Sequence, residues 1–191
     1  MTTQRIEAFS DGVIAILITI MVLELHVPEG YDLNALRPLV PTLLSYLLSF
    51  VFLGIYWNNH HHMFQAAQKI SGKVLWSNHH LLFWLSLIPF ATAWRGENHA
   101  APVPTALYGT VLLLCAVAFT MVQAALIAAE GKDSTLARAV KSDVKGKVSL
   151  GMHALAIALA FVQPRYSDVL FVAVAVMWFV PDRRYEQATE P

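Results

Sequence analysis

Arg5-Ile-Glu-Ala-Phe9-Ser10-Asp11-Gly12-Val-Ile-Ala-Ile16-Leu-Ile-Thr19-Ile20-Met-Val-Leu23-Glu24 is the stretch whose reading decides the fold. From about Phe9 to Leu25 it is apolar almost without a break. A helix needs roughly 20 such residues to cross a bilayer. Five more apolar runs follow, at about 36–57, 74–94, 105–129, 148–162 and 167–180. The last two are short, and Gln163, Pro164 and Arg165 between them suit a tight hairpin. Prolines 28, 38, 41, 102, 104, 164 and 181 fall at the predicted ends, where helix punctuation belongs.

Composition gives the same answer. Of the 191 residues, 57% are hydrophobic and 14% charged, with mean hydropathy +0.53. Soluble domains run near 45–50% apolar and about 25% charged. The formal net charge is zero, which gives no basis for a nucleic-acid partner. The single cysteine, Cys115, sits in an apolar run and reads as core or lipid-facing filler. Glu7 and Asp11 close behind Arg5 make a poor signal-peptide start, so no cleavable leader is expected. The N-terminus, 58–73, 130–147 and the tail hold ten of the 13 Lys and Arg. Only Arg37, Arg95 and Arg165 lie on the other side. That bias predicts a multi-pass protein of the cell membrane with both termini cytoplasmic, which requires an even number of spans. The expected fold class is therefore all-α, an integral membrane bundle of six transmembrane helices.

Two features of the first helix stand apart. Asp11 is costly at a helix end in a membrane unless paired or hydrated. Arg5 is six residues away, too far for an ideal same-face pair, so a partner on another helix is expected. Ile16, Thr19, Ile20 and Leu23 follow i, i+3, i+4, i+7 spacing and share one stripe. Asp11 lies roughly 140° around the helix from Ile16, at about 100° per residue. By pattern alone the stripe is ordinary packing or lipid contact.

Two polar clusters lie at the level expected for Asp11. Trp57-Asn58-Asn59-His60-His61-His62 closes the second run, and Trp76-Ser77-Asn78-His79-His80 opens the third. Imidazoles there can hydrogen-bond a carboxylate, giving a structural network at the base of the bundle. Interfacial solvated histidines, or a metal or haem site, are the alternatives. Adjacent histidines diverge by about 100° on a helix, which does not suit one ion. No Gly-x-Ser-x-Gly, His-Glu-x-x-His or phosphate-cradling loop supports an enzyme. The basic 130–147 segment reads as a positive-inside loop, with an amphipathic surface helix as the alternative.

Arg5-x-x-x-Phe9-Ser10-Asp11-Gly12 at the start of a first membrane helix resembles the signature of bacterial members of the lysosomal potassium channel family. Tyr56-Trp57-x-x-His60 resembles the family's Tyr-Trp-x-x-His element, and Leu87-Ile88-Pro89-Phe90-Ala91-Thr92, with Asn78 upstream, its Leu-x-Pro-Phe-x-Thr stretch. The likeness covers most of the first hundred residues; beyond them it extends only to length and hydropathy. The resemblance implies a homotetramer of six-helix subunits that conducts potassium with modest selectivity over sodium, its pore lined by the first helix. Ile16 would then be the hydrophobic constriction, with Ile20 and Leu23 as further pore-facing positions and Thr19 as the selectivity hydroxyl. Phe9, Ser10 and Asp11 would be a packing signature, with Arg5, Trp57, His60, Asn78 and His79 as network residues. It also implies a channel domain over 1–181 and no cofactor beyond permeant potassium; the residues after Pro181 themselves read as a polar cytoplasmic tail, 182–191, and the apolar runs make the lipid bilayer a partner. The competing reading is a proton-coupled transporter or proton pathway using Asp11 and the histidine clusters.

Overall fold

The computed structural model describes residues 3–98, 101–131, 134–140 and 143–179, and the described residues fold as helices joined by short connections. The tail expected at 182–191 lies outside them. Helix α1 spans Thr3–Met21 and tightens into a 3-10 turn at Val22–Glu24. A second 3-10 segment, Leu33–Leu39, is capped by Asp32, whose carboxylate accepts from the Ala35 N–H, and leads into α2, Val40–Gln65. Then follow α3, Gly72–Ser86, and α4, Ile88–Glu97. Helix α5 covers Pro102–Glu130, α6 Thr135–Val140, α7 Val144–Ala160 and α8 Pro164–Phe179.

All six apolar runs are helical, but their boundaries differ from the sequence reading. Helix α1 starts at Thr3, so Phe9-Ser10-Asp11 lies inside the helix rather than at its start. Helix α2 continues to Gln65 and carries His60, His61 and His62 on its last turns. The expected third span is two helices, broken at Leu87. Pro89 supplies the reason: it lacks an N–H and its ring crowds the carbonyl four residues back. Of the basic segment's described residues, Thr135–Val140 form the short helix α6, whose Leu136 is fully buried, and Lys145 and Lys147 belong to the first turn of α7. Among the described residues, three stretches are each long and apolar enough to cross a membrane: Thr3–Glu24, Leu33–Gln65 and Pro102–Glu130. Helices α7 and α8 have 17 and 16 residues. At 1.5 Å per residue α7 falls a few ångströms short of a hydrocarbon core about 30 Å thick.

Helix α5 is the hub. It packs on α3, α4, α7 and α8, while α1 lies against α2, α3 and α4. Cys115 is fully buried in this core. Close approach is bought with glycine at two places. A Cβ at Gly96 would meet the Thr42 backbone at 2.9 Å, locking α4 to α2. At Gly109 it would meet Ile157 and Phe171 at 3.0 Å, where α5 touches α7 and α8.

The two faces of α1 as candidate functional site

The buried face of α1 consists of Ile6, Ser10, Ile14, Leu17 and Met21. Their spacing of three or four residues makes one stripe along the helix. Ser10 is its polar member. The Ser10 hydroxyl donates to the Ile6 carbonyl of its own helix at 2.9 Å. Its oxygen can then only accept from Asn78 Nδ2, 3.0 Å away. That fixes the amide of Asn78, whose Oδ1 faces His60 Nε2 at 2.8 Å. His60 Nε2 must therefore carry the proton. The result is a directed chain, His60 to Asn78 to Ser10 to the Ile6 carbonyl, joining α2, α3 and α1. All three side chains are buried.

Asp11 is held separately. Trp57 Nε1 on α2 donates to Asp11 Oδ1 at 2.9 Å. Trp57 also stacks on His61, with ring centroids 6.0 Å apart, and His61 pairs with Glu7 on α1. Phe9 stacks on the His79 ring at 5.7 Å, while His79 Nδ1 bonds its own Leu75 carbonyl. Arg5 is exposed and outside these bonds. The structure thus brings Phe9, Ser10, Asp11, Trp57, His60, Asn78 and His79 to one end of the bundle, in three groups rather than one: Ser10 with Asn78 and His60, Asp11 with Trp57, and Phe9 with His79. His60 serves Asn78, not Asp11, and the Glu7–His61 pair was not anticipated. Its only sequence signal was an acid on α1 level with the histidines. Among the described residues, no three His, Cys, Asp or Glu side chains are placed to hold a metal ion.

The opposite face of α1 is bare. Ile16, Ile20 and Leu23 are 57%, 40% and 75% exposed, and Thr19 and Gly12 are exposed beside them. The Thr19 hydroxyl donates to the Ile16 carbonyl at 2.9 Å. Its proton is therefore turned inward, and the oxygen lone pairs are left to the exposed side.

A second polar group sits at the far end of the bundle, and the sequence reading missed it. Buried Arg95 on α4 pairs with Asp168 on α8, reaches Ser45 Oγ on α2 at 3.3 Å, and lies 4.9 Å from the Tyr108 ring centroid on α5. Just below, Ser49 bonds Thr92 at 2.7 Å and Tyr108 at 2.9 Å. The available signal was an arginine just past the third apolar run and an aspartate inside the sixth, a pairing expected at membrane depth.

Comparison with known proteins gives this arrangement a context. The profile of the family described as the endosomal/lysosomal potassium channel TMEM175 matches residues 5–89. A potassium channel from Chryseobacterium sp. strain P1-3 is 48% identical over 188 residues, covering 98% of each chain. The crystal structure of a lysosomal potassium-selective channel TMEM175 homolog from Chamaesiphon minutus aligns with a TM-score of 0.84 at 28% identity, covering 94% of this chain and 97% of that one. The endosomal/lysosomal proton channel TMEM175 of Gallus gallus is 33% identical over 109 residues, 51% of this chain and 22% of that protein. The match along nearly the whole chain, and the shared fold, are those of a multi-pass membrane protein that is not an enzyme. This chain belongs to the TMEM175 family of ion channels.

Proposed function

We propose that the protein is a potassium-selective cation channel in which four copies surround a pore lined by α1. The observation that carries this reading is the bare stripe of Ile16, Thr19, Ile20 and Leu23 on a helix whose other face is bound into its own subunit. Four isoleucine side chains at Ile16 around one axis exclude water, and a dewetted constriction blocks a hydrated ion. Opening widens that ring by tilting or rotating α1. Thr19 is suited to the next layer, because its inward-turned proton leaves only lone pairs to replace part of a cation's hydration shell. Selectivity over sodium is modest in this scheme, since four hydroxyls coordinate less fully than a stack of carbonyl rings. The channel domain comprises residues 1–181. The protein sits in the cell membrane with both termini cytoplasmic, as the lysine and arginine bias supports.

The name of the chicken relative favours a second reading, protons as permeant ions. The His60–Asn78–Ser10 chain gives it no support, because it ends on a helical carbonyl rather than on a group that could pass a proton onward. Reversal potentials of the reconstituted protein under separate potassium, sodium and pH gradients test both readings. A potential that follows the potassium gradient supports the first. One that follows pH alone replaces it with the second, and absence of current under every gradient removes both.

A further inference from the structure

Helices α2 and α8 run side by side, and between them lies an open groove of about 900 Å³. Its walls are apolar, from Leu44 to Val51 on α2 and from Val172 to Phe179 on α8. Its mouth is polar. Arg95, Arg165 and Asp168 are the charged residues that line it, leaving one positive charge in excess. Arg165 is exposed there. Arg95 is 6% exposed; its two terminal nitrogens are engaged by Asp168 and Ser45, and its Nε has no partner. A buried donor left unpaired in this way is costly. Helix α8 begins at Pro164, so the positive end of its dipole lies at the same mouth.

We infer that this groove is a phospholipid site, with the phosphate at Arg165, beside the Arg95–Asp168 pair, and an acyl chain along α2 and α8. Charge complementarity commits the mouth to an anionic headgroup. Guanidinium groups match phosphate geometry, and the pair with Asp168 neutralises only one of the two arginines. Length commits the rest to an acyl chain. The apolar walls, Leu44 to Val51 and Val172 to Phe179, are 7 steps on a helix, about 10 Å, and the whole groove from Asp168 to Phe179 is 11 steps, about 16 Å. That is close to one leaflet of a hydrocarbon core about 30 Å thick. The polar group at one end and the apolar run below it therefore repeat the layout of a single lipid in the membrane. None of the groove's lining residues belongs to α1, and the site does not depend on which ion passes.

Native mass spectrometry of the full-length protein, purified in detergent and supplied with phosphatidylglycerol or phosphatidylcholine, tests the assignment. The wild type is expected to retain one lipid per subunit, phosphatidylglycerol at least about fivefold over phosphatidylcholine, a difference of about 1 kcal/mol. Val172→Trp fills the groove from an exposed position and should abolish retention. Arg165→Gln should keep lipid binding but lose the headgroup preference. A wild type that retains no lipid, a Val172→Trp protein that still does, or an Arg165→Gln protein with undiminished preference each overturns the proposal. A Val172→Trp protein whose oligomers fall apart while lipid adducts persist would assign the groove to a second copy of the chain instead.

Discussion

The two faces of α1 have opposite fates on one short helix. Ile6, Ser10, Ile14, Leu17 and Met21 are packed away, and Ser10 is bonded through Asn78 to His60. Ile16, Thr19, Ile20 and Leu23 touch little of their own subunit. The difference teaches that polarity is a poor guide to which face of this helix is left free. In a bundle surrounded by lipid, apolar burial alone does little to choose between helix faces, because lipid tails are as apolar as leucine. Hydrogen bonds therefore orient α1, and the plain aliphatic face is the one left available.

Breaking the bonded face should have the largest structural effect. Asn78→Leu removes two buried hydrogen bonds and strands the His60 N–H. The expected loss is about 2–4 kcal/mol, read as a fall in the thermal unfolding temperature of the solubilised protein. An unchanged temperature would mean that the bonds do not orient α1. Substitutions on the bare face should instead act on current. Ile16→Asn should wet the constriction and raise conductance severalfold in bilayer recordings, with the unfolding temperature nearly unchanged. Thr19→Ala should lower the potassium-to-sodium permeability ratio by about threefold, equivalent to about 0.6 kcal/mol; an unaltered ratio would remove Thr19 from the filter. The smallest effect should come from Trp57→Phe, which keeps the ring but loses the bond to Asp11. It should cost about 1 kcal/mol by the same thermal measurement, less than Asn78→Leu because Trp57 is partly exposed.

Each of the six apolar runs that hydropathy marked is helical, since a long run of apolar residues in a chain this poor in charge has few other uses. Hydropathy placed their ends less well. The third span was read as continuous because Pro89 lies within an apolar run, and hydropathy does not register a missing N–H. The stripe on α1 was legible as spacing, but spacing alone could not say which of the helix's stripes would be left bare. Of the network residues, the sequence indicated the level but not the pairing. His60 and His79 look equivalent in their clusters, yet only His60 faces Asn78. The far-end pair Arg95–Asp168 was visible as one charge just past an apolar run and another inside one, 73 residues apart, with nothing local to join them.

The sequence by itself determined that this is a membrane-spanning helical chain with a bias in its cationic loops, and the family motifs it carries are local strings. These are properties of neighbouring residues, set by hydropathy, charge and helical periodicity. Only the tertiary structure decided which face of α1 is buried, which histidine bonds Asn78, and where Arg95 and the α2–α8 groove lie. Those outcomes depend on helices distant in sequence packing at particular rotations, and side-chain geometry across helices selects among rotations that the apolar pattern leaves nearly equal.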